Sequence, residues 1–127
     1  MTPDKAWFAG LFEGEGTLVW NKTNESFYMR VGSVDLDVLE RLRDVAGGTI
    51  VGPYKGQGAR TPEHYKPMYM WSLSNFQDIE ELWEEIKPLM SLRRCERFQE
   101  LVVKRSQSTK VRRPDSKRTR PSTRKIA

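Results

Sequence analysis

In the segment 6–20, AWFAGLFEGEGTLVW, an apolar helix ends on two carboxylates, at the terminus where its own dipole repels them. Thr2 is a suitable N-cap, and Pro3 fits the first helical position, where a missing N–H costs nothing. The spacing predicts a helix to about Phe12, with Trp7, Phe8, Leu11 and Phe12 as its apolar stripe. Gly10 and Gly14 stand four apart and leave a flat strip on which another backbone can pack. A helical glycine costs roughly 1 kcal/mol against alanine, so Gly10 points to packing that a side chain would block. Gly14 and Gly16 are expected to stop the helix. Glu13 and Glu15 then fall at its C-terminus, either as solvated residues flanking a glycine cap or as ligands of a divalent cation that reverses the repulsion.

The word AGLFEGEGT resembles the LAGLIDADG signature of homing endonucleases, with Phe8 at the usual leucine position and glutamate at both acidic positions. The resemblance implies that two such helices pack through their small residues, so that Ala9, Gly10, Glu13 and Gly14 form a dimer interface. It also implies a catalytic metal at the helix base, held by the Glu15 carboxylate and the Gly14 carbonyl, with Glu13 capping or orienting the helix ends. Most family members with aspartate at the metal position differ from Glu15 by one methylene. The implied cofactor is Mg²⁺, with Mn²⁺ as a substitute and Ca²⁺ supporting binding with little cleavage. A family lysine near the start of the last helix aligns with Arg93, which can stabilise charge but not act as a base; Arg94 is the weaker alternative. Ser33 aligns near a water-positioning residue and completes the implied catalytic set of Glu15, Arg93 and Ser33.

Element order agrees with this resemblance. Strands are expected over 17–22 and 26–34 around a turn at Thr23, Asn24 and Glu25, and over 49–54 and about 65–74 around KGQGARTPEH. Asp35 fits an N-cap for a helix with Leu36, Leu39, Leu42, Val45 and Ala46 on one face, ended by Gly47 and Gly48. Asn75 caps a third helix, in which Phe76, Ile79, Leu82, Trp83 and Ile86 recur before Pro88 while Asp78, Glu80, Glu81, Glu84 and Glu85 face outward. A last helix, about 89–104, carries Leu92, Cys95, Phe98, Leu101 and Val102 inward. The order αββαββαα matches the α+β, αββαββα domain of the family over residues 1–104: a four-stranded antiparallel sheet with helices on one face, followed by a basic tail.

At 127 residues the chain holds one small domain and one copy of the motif, which implies a symmetric homodimer. Cys95 and His64 are the only residues of their types, so neither a disulfide framework nor a cysteine/histidine zinc site forms within one chain. Cys95 reads as a core residue and His64 as an exposed loop residue. No apolar run approaches a membrane span and no signal peptide opens the chain, so no membrane partner is expected. The location is expected to be soluble and intracellular, cytoplasmic if the source is bacterial or phage.

Charge is distributed unevenly. Residues 105–127 hold nine Lys or Arg against Asp115 alone, a net +8, which leaves −3 for the remainder of a chain of net charge +5. This segment lacks apolar periodicity and is expected to be disordered in isolation; it reads either as a polyanion-binding tail or as a solubilising one. Period-two alternation offers Thr17, Val19, Asn21, Lys22, Asn24, Ser26, Tyr28 and Arg30 as DNA-facing candidates from the first hairpin. Tyr54, Lys66, Met68, Met70 and Ser72 are those of the second, with the facing of residues 68–71 left open. Lys55 belongs to the same basic strand-and-turn set. The activity implied is a metal-dependent double-strand break at a long, roughly palindromic site in double-stranded DNA. Two alternatives remain: a catalytically inactive DNA-binding derivative, and an RNA-binding maturase.

Overall fold

The computed structural model describes residues 1–54 and 66–109. Lys55, His64 and residues 110–127 of the basic segment lie outside the described residues. Helix α1 (Pro3–Glu15) leads into strands β1 (Gly16–Asn21) and β2 (Ser26–Ser33), then helix α2 (Leu36–Ala46) and strands β3 (Thr49–Tyr54) and β4 (Met68–Leu73). Helix α3 (Phe76–Ile86), a short 3₁₀ turn (Lys87–Leu89) and helix α4 (Leu92–Ser106) complete the order. The four strands form one antiparallel sheet in the order β1-β2-β4-β3, so each hairpin gives one central strand and one edge.

Local signals account for most boundaries. Thr2, Asn75 and Ser91 cap α1, α3 and α4 by accepting from the N–H of Lys5, Asp78 and Arg94 at 3.1, 3.0 and 3.3 Å. Asp35 occupies the N-cap of α2 without a side-chain capping bond; Ser33 Oγ instead accepts from the Asp35 N–H at 3.0 Å.

Three expectations about the helices change. First, α1 continues past Phe12 to Glu15, with Gly14 inside it. Its C-cap, Gly16, is extended rather than left-handed, and a Cβ there would overlap the Phe12 ring, so this glycine answers to packing. Second, α4 begins at Leu92 because the 3₁₀ turn and the Ser91 cap occupy the preceding residues. Leu92 is therefore 74% exposed in the first turn instead of inward, and Met90 is buried in its place. Third, α4 runs to Ser106, two residues beyond the expected end of the domain.

The core lies between the sheet and the helices. Phe8 and Phe12 of α1, Leu39 and Leu42 of α2, Ile79 and Ile86 of α3, and Leu101 of α4 meet Phe27, Met29, Val31 and Trp71 of the sheet. Trp71 is fully buried, and its Nε1–H donates to the Gly47 carbonyl at 2.7 Å. The next residue, Gly48, has φ +93, and a Cβ there would stand 2.5 Å from the Ser72 carbonyl oxygen and 2.7 Å from Trp71 Nε1. Only glycine meets both demands. Gly48→Ala is expected to cost about 3 kcal/mol, from backbone strain plus displacement of Trp71, as read by urea unfolding. An unchanged midpoint would contradict this account of the α2–β3 junction.

Candidate functional site

Glu15 is the last residue of α1 and is exposed, directly before the first strand of the sheet. Gly14, beside it, is exposed too, and its C=O is among the last four carbonyls of the helix, which lack intrahelical donors. Ala6, Gly10 and Gly14 lie at four-residue spacing on the exposed side of α1, and a Cβ at Gly10 or Gly14 would have no atom within 4 Å. Ala9, expected on this strip, is instead 0% exposed within the single chain. It shares the core face with Phe8 and Phe12, so its small size serves internal packing.

Glu13 and Glu15 separate in role. Glu13 turns back to its own chain, where Oε1 accepts from the Ser91 N–H at 3.0 Å and lies 3.5 Å from Arg94 Nε. Arg94 also donates from Nη2 to the Glu13 carbonyl at 3.2 Å and lies over the Phe12 ring at 5.2 Å. The base of α1 is thereby fastened to the start of α4. The Ser91 backbone hydrogen bond, helped by Arg94 and Arg93, holds the Glu13 carboxyl below its ordinary value of 4.5. A lowered folded-state value means that this contribution to stability is fully present above 4.5 and is lost as pH falls through the lower value. Hydrogen exchange at the Ser91 amide, corrected for intrinsic rate, is expected to lose protection over that acid window. Glu13→Gln should remove the pH dependence; its persistence would refute the Glu13 assignment.

Arg94 is thus committed to structure, whereas Arg93 is exposed. Arg93, Arg94 and Arg97 line a cleft of about 420 Å³ with Gly16, Thr17 and Leu18, together with Glu96 and Glu100. Arginines thereby gather where β1 leaves α1. Arg97 was not among the sequence candidates, although its position four residues after Arg93 on a helix was a usable signal. Ser33 ends β2 and is engaged with the Asp35 N–H.

The other face of the sheet is open. Asn21, Tyr28, Arg30, Tyr54, Met70 and Ser72, all sequence candidates, line one concavity of about 450 Å³ with Val51 and Ser74. The register makes Thr17, Arg30, Ser72 and Thr49 successive cross-strand partners, one row spanning all four strands. Val19 pairs with Tyr28 in the next row. Thr49 and Val51 alternate in phase but were missed as candidates. Tyr54 joins the same face because the register shifts between Val51 and Tyr54, adding one residue on β3. Met68 and Met70 also lie here, their sulfurs 3.5 and 3.3 Å from where a Cβ on Gly32 would be, while Trp71 faces the core; the facing left open is resolved.

Lys22, Asn24 and Lys66 are exposed at strand ends and turns. Asn21 Oδ1 accepts from the Thr23 N–H at 2.9 Å and so also shapes the turn. Ser26 departs from expectation: it is 7% exposed, and its Oγ accepts from Arg105 Nε at 2.8 Å, which removes it from the open face's usable groups.

Among the described residues, no three His, Cys, Asp or Glu side chains gather as a metal cluster. The Glu15 carboxylate and the Gly14 carbonyl are nevertheless hard oxygen donors of the kind Mg²⁺ accepts, with one or two carboxylates and the balance from water and phosphate. The donor set therefore fits the ion, provided nucleic acid or a second copy supplies further oxygens. No helix among the described residues is long and apolar enough to cross a membrane.

This architecture is that of the LAGLIDADG homing endonucleases, as the AGLFEGEGT resemblance implies. The solved homing endonuclease I-TnaI matches with TM-score 0.53 at 19% identity, over 81% of this chain and 71% of that one. I-CvuI, in complex with a DNA target, matches with TM-score 0.51 at 16% identity, over 79% of this chain and 64% of its own. I-CeuI, a group I intron-encoded homing endonuclease complexed with DNA, matches with TM-score 0.54 at 17% identity, over 81% and 54%. This chain thus spans less than two thirds of the last two. By sequence, no family model and no curated protein matches.

Proposed function

We propose that this chain is a site-specific DNA endonuclease that acts as a homodimer and makes metal-dependent double-strand breaks at a long, roughly palindromic target. The observation that carries the reading is one juxtaposition. An exposed carboxylate, Glu15, stands at the foot of an exposed strip of small residues, Ala6, Gly10 and Gly14, where a sheet with an open face begins. The solved structures of this fold include I-CvuI and I-CeuI complexed with DNA, which supports duplex DNA as the substrate.

In this reading, two copies pack α1 against α1 along the strip, which sets two Glu15 residues at the symmetry axis, one for each strand. Two-fold symmetry in the protein calls for two-fold symmetry in the target. Bound at Glu15 and Gly14, Mg²⁺ supplies charge neutralisation at the phosphate and an activated water. Arg93 faces the backbone from the cleft beside β1 and stabilises charge that builds on the phosphate oxygens. Arg30, Tyr28, Asn21 and Ser72 present donors and acceptors to base edges in the major groove, where each base pair is distinguishable.

The test is selection in Ca²⁺ from a random duplex library in competition with a folded-RNA library, followed by mapping of strand breaks after transfer of the recovered duplex to Mg²⁺. Breaks at fixed positions on both strands of the selected sequence are the expected result. Selective recovery without breaks would leave a DNA-binding protein and refute the nuclease; recovery of folded RNA in preference to duplex would refute both.

A further inference from the structure

Register divides the open face of the sheet into rows of unlike chemistry. The row Thr17, Arg30, Ser72 and Thr49 is polar across the sheet. The next row toward Glu15 is Gly32, Met70 and Val51, and beyond it Met68 pairs with Tyr54. Gly32 lies one residue past Val31, the partner of Gly16, which itself follows Glu15, so these apolar rows cross the sheet at the end that carries the carboxylate. Val51 is 48% exposed and Met68 42%. Gly32 makes the patch continuous: a Cβ there would stand 3.3 Å from Met70 Sδ and Cε and 3.5 Å from Met68 Sδ, so the missing side chain lets both thioethers lie over β2. Single exposed apolar residues are ordinary; grouped on one face and bordered by Arg30 and Ser72, they mark an interaction surface.

We infer that Val51, Met68 and Met70 form a methyl-reading patch, which selects thymine at the inner base pairs of each half-site, those nearest the cleaved phosphates. The inference rests on the DNA-endonuclease reading above and adds to it a base preference of the target. On the major-groove edge all four bases present hydrogen-bonding groups, and thymine alone adds an apolar one, its C5-methyl. The Val51 side chain has nothing to offer a donor or an acceptor, and a thioether sulfur accepts only weakly. A cytosine N4–H₂ or a guanine O6 pressed against this patch would lose water without gaining a partner. A thymine methyl has no hydrogen bond to lose, and covering it is worth about fourfold in affinity. The unbranched Met68 and Met70 side chains can follow that methyl as groove shape varies. Rows on one face are about 7 Å apart, roughly two base pairs, so the apolar rows and the Arg30 row address different steps of the half-site. Methyl contact thus reads the inner steps, and hydrogen bonding from the Arg30 row reads those farther out.

The experiment measures affinity of the whole chain in Ca²⁺ for the duplex it selects. Inner thymines are replaced by deoxyuridine, which keeps the base pair and the O4 acceptor and deletes only the methyl. The expected results are a selected consensus with thymine at inner positions on either strand, and affinity lowered about fourfold for each inner replacement. In the triple variant Val51→Ser, Met68→Gln, Met70→Gln, the ratio of affinities for the thymine and deoxyuridine duplexes should fall to about one. Absence of thymine preference at the inner positions, or equal affinity of the unaltered chain for the two duplexes, would overturn the methyl-reading inference alone if site-selective binding is intact. A ratio unchanged in the triple variant would overturn it as well, since other side chains would then make the contact. The comparison on the unaltered chain decides the inference even where the variant binds too weakly to measure. Absence of site-selective duplex binding by the unaltered chain would overturn the endonuclease reading and this inference together.

Discussion

Glu15→Gln is expected to lower cleavage by at least about a thousandfold while leaving target binding and folding intact. The exchange keeps the shape of the side chain and removes the charge that would hold Mg²⁺ at the base of α1. Losing even about 4 kcal/mol of metal-derived transition-state stabilisation corresponds to three decades in rate. Stability should move slightly the other way. Glu15 is exposed at a helix C-terminus whose last turn has no basic residue, so neutralising it relieves a few tenths of a kcal/mol of repulsion. Cleavage within tenfold of the unaltered protein, at equal occupancy of the target, would eliminate Glu15 as the metal ligand. A collapse of the melting transition would instead show a buried structural role that its exposure contradicts.

Gly10→Leu is expected to push two measurable quantities in opposite directions. Within one chain nothing stands within 4 Å of a Cβ at this position, and leucine is the better helix former by roughly 0.8 kcal/mol. Folding of the dilute monomer should therefore gain stability. Between two copies, a four-carbon side chain on the strip forces the paired helices apart at a cost of about 3 kcal/mol, roughly a hundredfold in the dimer dissociation constant. Sedimentation across a concentration series, with melts at each concentration, reads both effects. Unaltered self-association in the variant would rule out the α1 strip as the interface. A parent chain that stays monomeric at every concentration, with and without DNA, would remove the composite site altogether.

Much of the architecture was legible because its signals are local. Thr2 and Asn75 cap the helices they precede, and the apolar spacing of α2 and α3 matches the faces they bury. Alternation along β1 and β2 correctly grouped Asn21, Tyr28 and Arg30. What was misread depends on residues distant in the chain. Ser26 has the right phase for the open face, yet Arg105, 79 positions later, covers it. For Glu13 the motif implied a capping or orienting role, but its partners, the backbone N–H of Ser91 and the arginine at 94, are not near in sequence and could not be named from it. Ala9 illustrates a different ambiguity. A small residue beside a glycine suits a helix crossing, but Ala9 is fully buried on the core face of α1 that Phe8 and Phe12 share. Leu92 looked like the first turn of an inward stripe, and only the preceding 3₁₀ turn makes it an outward one.

The strand order β1-β2-β4-β3 has a consequence for retargeting. Because β2 and β4 are neighbours at the centre, Arg30 is flanked directly by Thr17 from its own hairpin and by Ser72 from the other. Directly opposed residues on one sheet face compete for space and share hydrogen-bonding partners. The two hairpins are consequently not exchangeable cassettes: a new side chain at position 30 alters the surroundings of positions 17 and 72 at once. Residue 54 is different, since it stands on β3 beyond a shift in register, where among the described residues the sheet pairs it on one side only. If this face reads base edges as proposed, altering base preference would require varying the central trio as a unit, whereas the rim could be treated one position at a time.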